Sequence, residues 1–218
     1  MVKNIIIAID GEASSGKSTQ AKKIADYFGY YYLDSGAFYR AITLFFKRNR
    51  FSSVNQIDNN DLINISLNSK YKNGKNSIYL NGEDVSKDIR SIEISENVSE
   101  FAKKKEIREH VYKHLREFSK NQSTVIDGRD IGTVVFPDAN YKFFFYAKPE
   151  IRAKRRFSEI NKSDINYDSV LENLNYRDIT DSTREIAPLK KAKDAYSVDV
   201  SDLSIDEVFE KVLNIIKK

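Results

Sequence analysis

GEASSGKS (residues 11–18) decides the fold of this chain because of the segments on either side of it. NIIIAID (4–10) precedes it as a continuous apolar run of strand length and β-branched character. TQAKKIADYF (19–28) follows it with apolar residues at helical spacing. A strand, a glycine turn and a helix are the setting in which G-x-x-x-x-G-K-[ST] binds phosphates. The sequence therefore predicts a site for a nucleoside triphosphate.

The residues of this phosphate loop have distinct predicted roles. Glycines let the backbone curl so that successive N–H groups point inward, and the helix N-terminus adds about half a positive charge. Lys17 reaches the β- and γ-phosphates, and the hydroxyl of Ser18 is a ligand for magnesium. The alternative, an ordinary glycine-serine turn, is disfavoured by the matching strand, spacing and helix. The residues predicted to contact the nucleotide are Gly11, Glu12, Ala13, Ser14, Ser15, Gly16, Lys17, Ser18 and Thr19.

Length and composition limit the possible classes of protein. A chain of 218 residues suits one α/β domain with a substantial core. It has no cysteine, which excludes disulfides, zinc-thiolate sites and thiol catalysis. The net charge of +4 is modest, and the basic run 103–105 is predicted to be a solvated helix face, not a nucleic-acid patch. No apolar run is long enough to cross a membrane and no signal-peptide pattern is present, so we expect a cytoplasmic protein.

Strand candidates mostly alternate with helical stretches, which predicts a parallel sheet with helices on both faces. The candidate strands are 4–10, 30–33, 123–127, 141–146 and 195–200. The candidate helices are 17–28, 37–48, 93–120, 149–160, 167–178 and 203–217. The segment 52–90 breaks the alternation and is predicted to be an inserted lobe. Within it, SIYLNGEDV (77–85) predicts a hairpin with Asn81 and Gly82 at its turn.

The second predicted strand ends in YYLDSGAFYR (31–40). Ligands of open α/β sheets bind beyond the carboxyl ends of the strands, so this segment faces the same crevice as the phosphate loop. Ser35 can donate a hydroxyl, Gly36 permits a close backbone approach, and Arg40 can bind a phosphate bidentately. The alternative is an Asp34 helix cap with Arg40 on a solvated face, and both interpretations can hold together.

The third core strand continues into STVIDGRDIGTVVFP (123–137). Asp127 ends the strand beside the phosphate loop, where a carboxylate can hold magnesium through water. Arg129 is predicted to bind a phosphate. Asp130, held at a strand end, can accept a hydrogen bond from the exocyclic amino group of a base. The alternative is a turn that contains only a salt bridge.

A last charged segment, YRDITDSTREIAPL (176–189), lies near the C-terminus. Arg177, Asp181 and Arg184 are four and three residues apart and share one face of a helix. A carboxylate between two guanidinium groups suits a ribose hydroxyl together with the charge of a phosphate. A surface ion-pair ladder is an equally good interpretation of this segment alone.

Two further patterns in the sequence match motifs of other proteins, but their surroundings do not support those functions. NKSD (161–164) matches the guanine-reading motif of GTPases, but it follows an arginine-rich helical stretch and no D-x-x-G switch follows the phosphate loop. His110 and His114 are four residues apart, yet the segment lacks the glutamate of H-E-x-x-H. We expect both histidines to be surface or half-buried residues.

Taken together, the motifs closely resemble those of the bacterial cytidylate kinases over essentially the whole chain. The matching blocks are the phosphate loop, DSGAFYR (34–40), NGEDVSKDIR (81–90), DGRDIGTVVFPDA (127–139) and RDITDSTREIAPL (177–189). The resemblance implies transfer of the γ-phosphoryl group of ATP to CMP or dCMP with Mg²⁺. It also implies one P-loop nucleoside monophosphate kinase domain over 1–218. This would be a five-stranded parallel sheet with a CMP-binding lobe at 52–90 and a short lid at about 152–166.

The resemblance also implies roles for single residues. It assigns Ser35, Arg40 and Arg129 to the CMP phosphate. It assigns Asp130 to the cytosine amino group, and Ser99 and Arg108 to the base pocket. It assigns Arg177 and Asp181 to the sugar, and Arg184 to a site near the phosphates. Phosphoryl transfer is assigned to Lys17, Arg129, Arg184 and Arg156, and the arginines within 152–156 resemble lid residues that close over the triphosphate. Glu12 departs from the family, which usually has proline there. It puts a negative charge near phosphate, for which we expect weaker nucleotide binding at most.

This residue set predicts a mechanism that needs no strong general base, because the acceptor phosphate is already ionised. The expected partners are ATP and CMP or dCMP, without nucleic acid or membrane, and we expect a monomer. One rival is another small-molecule kinase on the same core, such as an adenylate or shikimate kinase. The other is a nucleotide-gated switch or RNA-binding module.

Overall fold

The apolar run before the phosphate loop is the central strand of a five-stranded parallel sheet. The computed structural model describes residues 4–51, 54–159 and 166–217. Its strands are β1 (Ile6–Gly11), β2 (Tyr31–Asp34), β3 (Leu67–Lys72), β4 (Lys75–Leu80), β5 (Glu83–Asp84), β6 (Thr124–Gly128), β7 (Tyr141–Tyr146) and β8 (Tyr196–Asp199). The large sheet has the order β2-β6-β1-β7-β8. Ile6 pairs with Thr124 and Asp34 with Asp127, so the carboxyl ends of β1, β2 and β6 lie at one edge.

Helices cover both faces of this sheet, as predicted. They are α1 (Lys17–Phe28), α2 (Ser35–Arg48), α3 (Asn59–Ile63), α4 (Ile92–Phe101), α5 (Lys105–Ser119), α6 (Pro149–Glu159), α7 (Tyr167–Thr183) and α8 (Ile205–Ile216). Successive side chains of a strand point to opposite faces. Accordingly Ile7 and Ile9 belong to the cluster packed with α1 and α8, whereas Ala8 belongs to the cluster packed with α2 and α5. Among the described residues, no helix is long and apolar enough to cross a bilayer.

The predicted hairpin is present, within a three-stranded antiparallel sheet β3-β4-β5. Asn81 and Gly82 connect β4 to β5, both with positive φ (50° and 87°), as a two-residue type I′ turn requires. Asn73 and Gly74 form a second such turn before β4, so strand β3 was missed although an Asn-Gly signal marked it. The hydroxyl of Tyr31 joins this sheet to β2 by donating to the Ser69 carbonyl over 2.5 Å.

The single helix predicted over 93–120 is wrong, because the chain breaks into α4 and α5 at residues 102–104. Lys104 is extended, with φ −69° and ψ 125°. The carbonyl of Ala102 therefore accepts from the side chain of Arg108 over 2.7 Å. The other helix bounds differ by a few residues, and α7 runs past the predicted 178 to Thr183. Residues 52–53 of the predicted lobe, 160–165 of the predicted lid and the NKSD motif at 161–164 lie outside the described residues.

Candidate active site

A cleft of about 1110 Å³ opens at the carboxyl edge of the large sheet. It brings together seventeen of the predicted residues: Ala13, Ser14, Ser15, Gly16, Lys17, Ser18, Thr19, Ser35, Arg40, Ser99, Arg108, Arg129, Asp130, Arg156, Arg177, Asp181 and Arg184. Gly11 and Glu12 do not line it. Gly11 packs so closely on β7 that a Cβ there would lie 2.1 Å from the Phe145 carbonyl oxygen. Residues that are distant in sequence thus form one continuous site.

The phosphate loop takes a tight path into α1. Ser14 and Gly16 have left-handed φ values of 57° and 79°, and the Nζ of the buried Lys17 donates to the Glu12 carbonyl over 2.9 Å. Burial and the nearby positive charge of Arg129 lower the pKa of Lys17. A phosphate group beside this amine supplies the opposite charge that favours its protonated form. The loop is therefore suited to a polyphosphate.

Asp127 links three segments at the floor of the cleft. Its carboxylate accepts from Ser18 Oγ at 2.6 Å and from the Tyr32 hydroxyl at 2.7 Å, while its backbone carbonyl accepts from Ser35 Oγ at 2.8 Å. Burial and the negative charge of Asp34 raise the pKa of Asp127. No group of three acidic or histidine side chains suited to a metal occurs among the described residues. Mg²⁺ usually binds one or two carboxylates together with substrate phosphates and water, so the oxygens of Ser18 and Asp127 fit this ion.

A cluster of arginines lines the cleft, and Asp181 lies between two of them. Its Oδ2 accepts from Arg129 Nε at 2.8 Å and its Oδ1 from Arg184 Nη1 at 3.4 Å. Although burial opposes ionisation, the positive charges of Arg129 and Arg184 lower the pKa of Asp181. The helical spacing predicted Arg184 as a partner of Asp181, but the second partner is Arg129 and not the predicted Arg177. The burial of Asp181 excludes a mere surface ion-pair ladder.

The arginines outnumber the carboxylates that face them. Burial, and then the charge of Arg177, lower the pKa of Arg40 to about 9. Burial and the charge of Arg129 likewise lower the pKa of Arg177 to about 10. Within the described part of the chain, Arg177 Nε and Arg184 Nη2 are buried without a hydrogen-bond partner. Buried donors of this kind are costly unless an acceptor reaches them, so the cluster is built for an anion.

Asp130 also lines the cleft, and its Oδ2 accepts from Arg108 Nη2 at 2.6 Å and from the Tyr112 hydroxyl at 2.5 Å. Its Oδ1 faces Arg184 Nη2 at 3.9 Å. Arg108 is 1% exposed, and its three nitrogens donate to Asp130, Tyr112 and the Ala102 carbonyl. One nitrogen of Arg108 thus orients Asp130 directly, a second does so through the Tyr112 hydroxyl, and the third holds the Ala102 carbonyl. Sequence reasoning missed Tyr112, which lies one helical turn after Arg108.

Two more residues that shape the site were missed, Arg90 and Asp10. Arg90, the last residue of the quoted NGEDVSKDIR segment, lines the cleft and donates from Nη2 to Asp34 Oδ2 at 2.7 Å. Asp34 also caps α2 by accepting from the Ala37 N–H at 2.9 Å, which confirms the predicted cap. Asp10 accepts from the N–H groups of Ile131 and Gly132, both at 2.8 Å, and so fixes the turn that follows Asp130.

Two expectations about charge near the triphosphate are corrected. Glu12 turns its carboxylate away from the cleft, to the Ala147 N–H at 3.3 Å and Arg152 Nε at 3.2 Å. Arg152 is 3% exposed and does not line the cleft, so it is not a lid arginine. Arg155 and Arg156 do line it. The paired histidines, His110 and His114, are half-buried on α5 as expected.

Solved structures share the fold at low sequence identity. An uncharacterized protein from Eubacterium ventriosum superposes with a TM-score of 0.56 at 14% identity, over 99% of both chains. TT1252 from Thermus thermophilus superposes with a TM-score of 0.50 at 17% identity, over 98% of this chain and 96% of that one. These likenesses support the fold alone.

Sequence relatives are much closer. Curated proteins named cytidylate kinase are 44% identical over 214 residues in Thermosipho melanesiensis, 45% over 217 in Clostridium botulinum and 45% over 219 in Fusobacterium nucleatum. The alignments cover 97–99% of this chain and 96–99% of the relatives. The family model described as cytidylate kinase matches residues 7–218. The cleft that holds the phosphate loop, the turn at 128–130 and the arginine cluster agrees with this match. This coverage and identity show that the chain belongs to the cytidylate kinase family.

Proposed function

We propose that this chain catalyses ATP-dependent phosphorylation of CMP and dCMP to CDP and dCDP. One observation carries the proposal: Asp130, with one carboxylate oxygen held by Arg108 and Tyr112, lines the same cleft as the phosphate loop and a cluster of arginines. An acceptor with a base at one end and a phosphate at the other matches this combination of a carboxylate, several cations and a phosphate loop in one cleft. Family membership supports the same reaction.

The acceptor phosphate would lie among Arg40, Arg129 and Arg184, next to Ser35. Arg177 and Asp181 would face the sugar, and Ser99 would complete the base pocket with Asp130. Arg177 Nε and Arg184 Nη2, which are buried without a partner in the described part of the chain, would gain acceptors from the bound nucleotide. Binding would thus satisfy groups that the free protein leaves unsatisfied.

The donor ATP would lie along the phosphate loop, with Lys17 beside its terminal phosphates and Arg155 or Arg156 covering them from α6. Mg²⁺, held by Ser18 and Asp127 together with the phosphates, would neutralise charge on the transferred group. We infer that the segment predicted as the lid, 152–166, acts as one apart from the buried Arg152, and that 52–90 acts as the acceptor lobe. Closure over both nucleotides would exclude water and protect ATP from hydrolysis.

In this mechanism the chain's own residues position the reactants and neutralise charge. Lys17, Arg129, Arg184 and Arg156 would surround the migrating phosphoryl group with positive charge. Arg40 and Arg129 would align the acceptor phosphate oxygen with the bond that breaks. That oxygen is already ionised, so the site needs no strong base to activate it.

Base choice would follow from the hydrogen-bonding pattern at Asp130. Cytosine presents an amino group, which can donate to a carboxylate oxygen, whereas uracil presents a carbonyl at that position. Two opposed acceptors in a buried site cost about 1–3 kcal/mol or more. Since a carboxylate oxygen accepts hydrogen bonds and cannot donate one to the uracil carbonyl, discrimination against UMP is expected.

A coupled assay of ADP formation tests the proposal. CMP, dCMP, UMP, AMP and shikimate are each offered with ATP and Mg²⁺ to the full chain. We expect rapid ADP release with CMP and dCMP, much slower release with UMP, and background release with AMP and shikimate. A preference for AMP or shikimate would assign another kinase activity. Acceptor-independent ATP binding with salt-sensitive RNA binding would instead favour a regulatory nucleotide site.

A further inference from the structure

Arg152 is a buried charged side chain that the proposed mechanism does not use. It lies on α6, outside the cleft lining, and is 3% exposed. Its Nε donates to the Ala147 carbonyl at 2.9 Å and lies 3.2 Å from Glu12 Oε2. Its Nη1 donates to the Ala13 carbonyl at 3.2 Å and forms an ion pair with Asp178 on α7. Burying a guanidinium costs free energy of folding unless the group is fully paired, so a role for these contacts is expected.

The contacts converge on one residue of the phosphate loop. The N–H of Ala13 donates to Asp178 Oδ1 at 3.0 Å, while its carbonyl accepts from Arg152. Both polar backbone groups of Ala13 are therefore held by side chains, one from α7 and one from α6. Glu12 adds a second carboxylate to Arg152 and accepts from the Ala147 N–H, which joins the loop to the end of β7.

This arrangement has a geometric consequence inside the loop. In a trans peptide the carbonyl and the following N–H point in opposite directions. Holding the Ala13 carbonyl on Arg152 therefore turns the Ser14 N–H to the opposite side of the chain. Ser14 itself lines the cleft and has a φ of 57°, a conformation that side chains other than glycine rarely adopt. Such a conformation persists only where neighbouring contacts hold it.

We propose that Arg152, Asp178 and Glu12 are positioning residues that hold the phosphate loop in its nucleotide-binding conformation. They act through the backbone of Ala13 and Ser14 and touch neither nucleotide. The inference rests on the proposed function in one respect, that the loop binds the donor ATP. It also gives Glu12 a role: in place of the proline typical of the family, this chain has a carboxylate that helps to pair a buried arginine.

Binding of ATP without any acceptor tests the network, by titration calorimetry of the full-length protein. Asp178→Ala removes the acceptor for the Ala13 N–H together with the partner of Arg152. We expect it to weaken ATP binding about tenfold or more, the factor that corresponds to one lost charge-assisted hydrogen bond. Asp178→Asn keeps one acceptor oxygen, and its loss should be intermediate. Glu12→Gln, at a partly exposed side chain, should weaken binding by about two- to fourfold.

Lys154→Gln is the matched control, because Lys154 lies on the same helix, is exposed and does not line the cleft. It should bind ATP as the unchanged chain does. Steady-state kinetics provide a second readout, because a merely structural role would not change the KM for ATP more than the KM for CMP. The KM for ATP should rise in Asp178→Asn and Glu12→Gln, while the KM for CMP and kcat change less than about twofold.

Equal losses for ATP and CMP, or unchanged ATP affinity in all three variants, would overturn the inference. If Asp178→Ala does not fold, as its thermal unfolding would show, Asp178→Asn and Glu12→Gln decide the question. If the unchanged chain binds ATP but does not phosphorylate CMP, the proposed function fails. The calorimetric comparison with Lys154→Gln still decides the role of the network.

Discussion

Arg108 donates from Nη2 to Oδ2 of Asp130 over 2.6 Å, and both side chains are almost completely buried. This pairing fixes the orientation of the carboxylate and leaves Oδ1 as the oxygen that faces Arg184. The base-reading carboxylate is therefore held through its other oxygen by a second residue, Arg108, which is itself oriented by Tyr112 and the Ala102 carbonyl.

Asp130→Asn should change the choice of base. With the amide oxygen retained by Arg108 and Tyr112, the amide N–H₂ takes the place of Oδ1 and opposes the amino group of cytosine, while it can donate to the carbonyl of uracil. We expect the ratio of kcat/KM for CMP to that for UMP to fall about 100-fold, the combined effect of one lost and one gained contact. The KM for ATP should be unchanged. An unaltered CMP-to-UMP ratio would contradict the base-reading role of Asp130.

Tyr112→Phe should weaken binding of the acceptor nucleotide although Tyr112 does not line the cleft. The hydroxyl donates to Asp130 and accepts from Arg108, so its loss loosens both. We expect about 1–3 kcal/mol less stability and a several-fold higher KM for CMP, with the KM for ATP unchanged. Tyr141→Phe is the control, since its hydroxyl donates to the Ile216 carbonyl away from the cleft. The two variants should differ in the KM for CMP, and equal values would argue against a role for Tyr112.

Lys17→Ala should remove phosphoryl transfer while preserving the fold. Lys17 is buried at the phosphate loop among cations, and its charge is needed next to the donor phosphates. We expect kcat to fall at least about 100-fold, with the same thermal unfolding midpoint to within a few degrees. Lys23→Ala, on the same helix but paired with Asp206 at the surface, should retain activity. Substantial turnover by Lys17→Ala would refute the assignment of the phosphate loop.

His114 should make the stability of the chain depend on pH. Burial, and then the positive charges of His110 and Lys113, lower the pKa of His114 from 6.5 to about 4. Between these values the unfolded chain binds a proton that the folded chain does not. The free energy of unfolding should therefore fall as the pH is lowered through this window. Urea unfolding at pH 7 and pH 5 should show a smaller loss for His114→Gln than for the unchanged chain, and parallel losses would contradict this.

Gly11→Ala should be among the most destabilising single substitutions. The new Cβ would meet the Phe145 carbonyl oxygen at 2.1 Å, and this contact is between backbones that pair across β1 and β7. We expect a loss of about 3 kcal/mol or more. Gly29→Ala, where nothing lies within 4 Å but φ is 68°, should cost only about 1 kcal/mol. Thermal unfolding compares the two variants, and similar midpoints would contradict the steric argument.

The sequence predicted the sheet and phosphate loop well because both depend on local signals. A β-branched run, the spacing of Gly11, Gly16 and Lys17, and the apolar periodicity of α1 are each contained in a short window. The break between α4 and α5 has no such signal, since neither glycine nor proline marks it. It follows from a contact that periodicity does not reveal, in which Arg108 turns back to the carbonyl of Ala102.

The site residues were predicted by type and spacing, but their partners were not. Asp130 and Asp181 stood out as carboxylates beside arginines, yet nothing in the sequence indicated that Tyr112 completes the hydrogen bonds of Asp130. The direction of the Glu12 side chain was likewise beyond sequence reasoning. It depends on Arg152, and nothing in the sequence of the run 152–156 distinguishes Arg152 from Arg155 and Arg156. Only packing separates the buried arginine from those that line the cleft.

The hydrogen bonds to Asp127 bear on the order in which this chain becomes active during synthesis. Asp127 lies on β6, which pairs with both β1 and β2. It accepts hydrogen bonds from Ser18, Tyr32 and Ser35, which all precede it in the chain. An emerging chain that has not yet reached this strand contains the entire phosphate loop but not the carboxylate that organises it. Sheet closure of this kind joins residues far apart in the chain and is slow relative to helix formation. Nucleotide affinity should therefore appear late in folding, and a fluorescent ATP analogue would report completion of the central sheet and not the formation of its first strand.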